Sequence, residues 1–123
     1  MPFIDLALVP EAGASLLVPQ RVGMAKASQM LLLGEGFDAA EGKAMGIVND
    51  IVAADALTAH AHDAARRLAA KPRQALAASR RLIRGDRREV LARMDEESAE
   101  FAKRMVSDEA RQVFLAFMGK SKK

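Results

Sequence analysis

The sequence predicts a mainly α-helical fold with one or two short strands, and three observations carry that prediction. Half of the residues are apolar, yet aromatics make up only 4% and Trp and Tyr are absent. The apolar content is therefore Ala, Leu, Val and Met, which suits close-packed helices better than a β-sandwich. Apolar residues also recur at helical spacing through the second half of the chain, whereas strand-like patterning is confined to residues 3–8 and 47–52.

In chain order, residues 3–8 alternate loosely enough for a short strand whose edge would be exposed. Pro10 fixes φ and lacks an N–H, so it suits the end of a loop or the first turn of a helix, and Gly13 permits a positive φ or close backbone approach. Leu16, Leu17 and Val18 predict a helix over 13–22, with Pro19 as a kink or stop and Gly23 as punctuation. Ala27, Met30, Leu31 and Leu33 predict a second helix over 24–33, ended by a glycine C-cap at Gly34. Asp38-Ala39-Ala40-Glu41 has capping-box spacing and opens a helix of about two turns that closes at Gly46. The β-branched segment 47–52 is read as a strand or extended piece.

The second half is more regular. Leu57, Ala61, Ala64, Ala65 and Leu68 recur at helical spacing until Lys71-Pro72, and Pro72 opens a further helix whose narrow face is Ala75, Ala78, Ser79, Leu82 and Ile83. Asp86-Arg87-Arg88-Glu89 has capping-box spacing again and starts a long helix. Val90, Met94, Phe101 and Met105 form its apolar seam, with Asp95, Glu96, Glu97 and Glu100 assigned to the other side. Ser107 starts the last helix, which carries Val113, Phe114, Phe117 and Met118. The length suits one compact domain, and the change of pattern near Ala53 divides it into regions 1–52 and 53–123.

Composition excludes several classes of function. There is no Cys, hence no disulfide or thiolate chemistry. His60 and His62 are two residues apart, so on a helix they point in different directions, and no metal site is expected. The net charge is +3, and basic residues cluster from Lys71 to Arg93. Without interleaved aromatics for base stacking, that run is a solvated or anion-tolerant face, not a nucleic-acid surface. No apolar run approaches the ~20 residues that span a bilayer, and no charged-then-apolar leader is read. No membrane association is expected, and the location expected is cytoplasmic.

Chemistry points to Glu11, a lone carboxylate where an apolar run breaks before a helix. A carboxylate at such a junction is expected to lie near free backbone N–H groups and the positive end of the helix. On residues alone, a favourable first-turn acid is the plain alternative. The string Pro2-Phe3-Ile4-Asp5-Leu6-Ala7-Leu8-Val9-Pro10-Glu11-Ala12-Gly13-Ala14-Ser15 resembles the enoyl-CoA hydratase/isomerase (crotonase) family. So do Leu31-Leu32-Leu33-Gly34-Glu35-Gly36-Phe37-Asp38-Ala39, Ala44-Met45-Gly46-Ile47-Val48-Asn49-Asp50-Ile51-Val52, Arg67-Leu68-Ala69-Ala70-Lys71-Pro72 and Ser107-Asp108-Glu109-Ala110-Arg111.

The resemblance implies the C-terminal half of a crotonase: residues 1–52 a remnant of the catalytic core, 53–123 a helical module for trimerisation and for covering CoA. The family's glycine-rich segments, whose N–H groups form the oxyanion hole, have no counterpart among these residues, so the fragment is expected to be inactive alone. Hydratases of the family use two glutamates, and one of those positions is Phe3 here. Δ3,Δ2-Enoyl-CoA isomerases use a single glutamate, at the position of Glu11. By this resemblance Glu11 is the catalytic base, Phe3 and Leu8 line the acyl pocket, and Phe101 and Lys120 approach the adenine and 3′-phosphate of CoA. Acyl-CoA is the substrate, no further cofactor is expected, and the C-terminal helices build a homotrimer or hexamer. The alternatives are a non-catalytic oligomerisation module and a piece of an enoyl-CoA hydratase.

Overall fold

The structure is a computed structural model that describes residues 2–120, with side chains as far as 118. Seven α-helices and two 3-10 turns make up the regular structure of the described residues: a 3-10 turn Ile4–Leu6, then α1 (Ala14–Val22), α2 (Met24–Leu31) and α3 (Ala39–Ala44), a 3-10 turn Ala54–Ala56, then α4 (Leu57–Ala69), α5 (Arg73–Arg84), α6 (Arg88–Met105) and α7 (Asp108–Lys120). The mainly helical class holds.

Neither strand-like segment forms a strand. Residues 3–8 fold back on themselves: the Ala7 N–H donates to the Ile4 carbonyl at 2.9 Å and the Leu8 N–H to the Phe3 carbonyl at 2.8 Å, with Ala7 left-handed at φ +54°. In 47–52 the Ile47 N–H returns to the Gly42 carbonyl, and the Asp50 carboxylate accepts from the Ile51 N–H at 2.9 Å and from Lys43 Nζ at 2.7 Å. A strand is stabilised by a ladder along a neighbour; here local carbonyls and one carboxylate satisfy the same groups.

The helix starts and stops follow local chemistry. Asp38 and Glu41 form the reciprocal capping box of α3. The Gly46 N–H donates to Lys43 and the Ile47 N–H to Gly42, the paired bonds of a Schellman stop with Gly46 left-handed. Ser107 Oγ accepts the Ala110 N–H at 3.1 Å and so caps α7. The second capping box does not form. The cap of α6 is Arg87, with no side-chain cap, and Asp86 instead takes the Arg88 N–H at 2.9 Å while its carboxylate pairs with the Arg88 guanidinium. Pro72 is the cap of α5, one residue outside the helix. Pro19 lies within α1 without ending it. So late in a short helix it removes one backbone bond only.

The core is small: Leu8, Ala27, Met30, Leu31 and Ala110 are its buried apolar residues, with Glu97 among them. α1 and α2 pack as a hairpin about Gly23, α6 lies against α1, and α7 lies against α6 and the Ile4–Leu6 turn. The chain thus closes its end over its beginning, and the segment between residues 8 and 14 sits at that closure. α4 packs on the Ala54–Ala56 turn. Neither α4 nor α5 buries a residue.

Candidate active site

Leu8 is buried, Val9 and Pro10 are half-buried, and Glu11 is exposed at the turn that follows. Pro10 lies within the loop and α1 starts only at Ala14, so Glu11 stands before the helix rather than in its first turn. The Ala14 N–H donates to the Glu11 carbonyl at 3.0 Å. Between them Ala12 (φ +58°) and Gly13 (φ +79°) are both left-handed. Such a conformation disfavours a residue with a Cβ by about 1–2 kcal/mol, so Ala12 is held there by its surroundings. A Cβ on Gly13 would stand 3.3 Å from Leu17 Cδ1, close enough that the leucine would have to shift slightly, and in ordinary contact with Val90 Cγ1 at 3.4 Å and Met94 Cγ at 3.6 Å, so it is the positive φ that asks for glycine.

The carboxylate at the helix start is not Glu11 but Glu97, from α6. Its Oε2 accepts the Gly13 N–H at 2.6 Å and its Oε1 accepts the Ser15 N–H at 2.8 Å. Glu97 is only 6% exposed. Two of the orphan donors of α1, together with the positive end of its dipole, therefore meet one buried carboxylate in two-pronged fashion. Arg93, one turn earlier on α6, donates to Ser15 Oγ at 3.3 Å and pairs with Glu96 at 3.1 Å.

The sequence pattern assigns Glu97 to the outer side of α6, whereas the structure turns it inward. A signal was present: Val90, Met94, Glu97 and Phe101 follow one another at steps of four, three and four, so the acid interrupts the apolar seam itself. An acid in that register is one the fold must pair.

Phe3 is half-buried, and its carbonyl accepts from both Leu6 and Leu8, which brings the two expected acyl-pocket residues into a single turn just before Glu11. Phe101 is half-buried on α6, one turn beyond Glu97 and on the same face. Lys120 ends α7, and its side chain lies outside the described residues. His60 and His62 are exposed; His60 Nε2 lies 3.7 Å from Asp50, whose carboxyl is held below its usual value by Lys43 and then by the Ile51 N–H. Among the described residues no group of three or more His, Cys, Asp or Glu is arranged to hold a metal, and no helix is long and apolar enough to cross a membrane.

Two grooves open on the surface of the described residues. A largely apolar one of about 400 Å³ runs along α1 between Leu17, Val22, Met30, Phe37 and Ile47. A wider one of about 1080 Å³ is lined by residues of α4, α5 and their connection, among them Leu68, Leu76 and Ile83 with Lys71, Arg73 and Arg80.

Comparison with known proteins places the chain. The family model for enoyl-CoA hydratase/isomerase matches residues 1–123. Enoyl-CoA delta isomerase 2 of Rattus norvegicus is 29% identical over 123 residues, 99% of this chain and 32% of that protein. A probable enoyl-CoA hydratase of Rhizobium meliloti is 40% identical over 68 residues, 55% of this chain and 26% of that protein. The crystal structure of an enoyl-CoA hydratase/isomerase from Pseudoalteromonas atlantica superposes with a TM-score of 0.93 at 38% identity, covering 97% of this chain and 48% of that one. The chain thus spans 26–48% of the length of these relatives. Matched along its whole length, and with helices that fit the helical C-terminal part of the crotonase fold, the chain belongs to the enoyl-CoA hydratase/isomerase family.

Proposed function

We propose that this chain carries the proton-transferring carboxylate of an enoyl-CoA isomerase, and that the carboxylate is Glu11. The observation that supports this reading most is the pairing of one exposed acid, on a turn fixed by two left-handed residues, with the phenylalanine that stands where the family's hydratases have a second acid. Glu11 takes a proton from C2 of a 3-enoyl-CoA, the double bond moves from C3–C4 to C2–C3, and the same carboxyl returns the proton at C4. One group serves both transfers, so no net proton is gained or lost. The dienolate passes through a charge on the thioester oxygen, which two backbone N–H donors would hold. Those donors belong to the glycine-rich part of the family's fold, so the 123 residues alone give negligible turnover.

Phe3 and Leu8 line the acyl end of the site. Phe101 and Lys120 meet the adenine and 3′-phosphate of CoA, and no further cofactor takes part. The exposed apolar side chains of the last helix, Leu115, Phe117 and Met118, support assembly into a trimer or hexamer. The expected location is the cytoplasm. The likeness to the Rhizobium hydratase favours water addition as a second reading, which the absence of an acid at Phe3 opposes.

The test is a chimera in which residues 1–123 replace the matched part of the Pseudoalteromonas enzyme, offered 3-enoyl-CoA while the conjugated thioester is followed by absorbance. Glu11→Gln is expected to lower kcat by about 10³-fold. Undiminished turnover in Glu11→Gln would reject Glu11 as the base, and hydration of 2-enoyl-CoA faster than isomerisation would favour the second reading. Robust isomerisation by the 123 residues alone would show that they supply their own donors.

A further inference from the structure

We infer that Glu97 is the positioning residue for Glu11, setting the geometry of the catalytic carboxylate from another helix without touching substrate; the inference rests on the assignment of Glu11 as base. The link between the two is short. Glu97 Oε2 holds the N–H of the peptide that joins Ala12 to Gly13, at 2.6 Å, and Oε1 holds that of Ser15 at 2.8 Å. The first of these peptides lies between the two left-handed residues that turn the chain away from Glu11. Only the dihedral angles of Ala12 and the ψ of Glu11 separate that peptide from the Glu11 Cα–Cβ bond, so holding it narrows the directions in which that bond can leave the loop. Ala12 does not favour that conformation on its own, and Val90 and Met94, the side chains that a Cβ at Gly13 would meet, come from the same helix as Glu97.

α6 therefore grips the loop through one buried carboxylate, with Val90 and Met94 close by on the same helix. Bonds from a charged acceptor to backbone donors are short and strong, and inside the packed closure they have little water to compete with. Glu97 thus fixes orientation, whereas Leu8 and Met30 supply burial. This separates a positioning role from a merely structural one, because the positioning role acts on kcat through displacement of the base. A displacement of about 1 Å costs on the order of 10²-fold in rate.

The test has one arm on the chain itself and one on the chimera. In the 123-residue chain, amide exchange is followed at Gly13 and Ser15. Glu97→Gln keeps volume and one acceptor but turns an NH2 toward the other donor, so at least one of the two amides is expected to lose protection about tenfold. In the chimera, Glu97→Gln is expected to lower kcat by about 10- to 100-fold with KM for 3-enoyl-CoA within about twofold. Glu97→Asp restores part of the rate, and Met30→Ala, which loosens the core elsewhere, leaves kcat unchanged while lowering stability. Should Glu97→Gln fail to fold, Glu97→Asp carries the same kcat test with the charge retained. Unchanged protection at both amides, or a kcat that falls no further than in Met30→Ala, overturns the proposal. If Glu11→Gln leaves the rate intact, it is the base assignment that fails, and the exchange arm still reads the clasp by itself.

Discussion

Helices α5 and α6 follow one another in the chain, both are amphipathic, and both are rich in arginine, yet they meet opposite fates. α6 lies against α1 and sends Glu97 into the interior, where two backbone donors receive it. α5 buries no residue: Leu82 is 77% exposed and Ile83 is 85% exposed on a helix that also carries Arg73, Arg80, Arg81 and Arg84. Apolar spacing thus specifies which face a helix offers. Whether that face is covered depends on what the chain places opposite it, and for α6 that is the N-terminal hairpin and its loop.

The sharpest way to break the comparison is to remove a side chain from the covered side. Met30, 3% exposed at the meeting of α1 and α2, is expected to cost about 2–5 kcal/mol on Met30→Ala, read as a fall in the urea midpoint. The next effect is in the backbone of the loop. Gly13→Ala forces a Cβ into a left-handed residue and close to Leu17, and is expected to cost about 1–2 kcal/mol by the same measurement. An effect no larger than that of an ordinary surface substitution would mean that the closure of α6 over the loop is loose. Smaller again is Ser107→Ala, which frees the Ala110 N–H at the start of α7 and is expected to cost about 1 kcal/mol.

These effects also divide what was legible in the sequence from what was not. The box at Asp38 and Glu41, the stop at Gly46 and the cap at Ser107 were legible because donor and acceptor lie within a few residues of each other. The same local rule misjudged Asp86, since an acid that bonds two residues ahead and one that caps a helix have nearly the same sequence. The strand read as possible at 3–8, and as one of two readings at 47–52, fails for a different cause: alternation and branching describe a surface that would pair, and pairing is decided elsewhere. Glu11, Phe3 and Leu8 were picked out in the sequence, and the fold gathers them along one short loop and turn. Glu97 was missed because its partners are 84 and 82 residues away, although its place on the seam between Met94 and Phe101 was there to be read.

The smallest effect sharpens the comparison most. Ile83 is as apolar as Met30 but stands almost wholly in water, so Ile83→Ala in dilute solution is expected to change stability by no more than about 0.5 kcal/mol. The groove it shares with Leu68 and Leu76 is open along α4 and α5. If the trimer proposed above covers this face, the same substitution becomes costly as the protein is concentrated, because assembly stabilises the folded state by mass action. Denaturation of Ile83→Ala and the parent chain across a hundredfold range of concentration separates the cases. Parallel curves at every concentration place the assembly face elsewhere, whereas a gap that widens with concentration puts α5 inside it and leaves α6 as the helix that serves the loop.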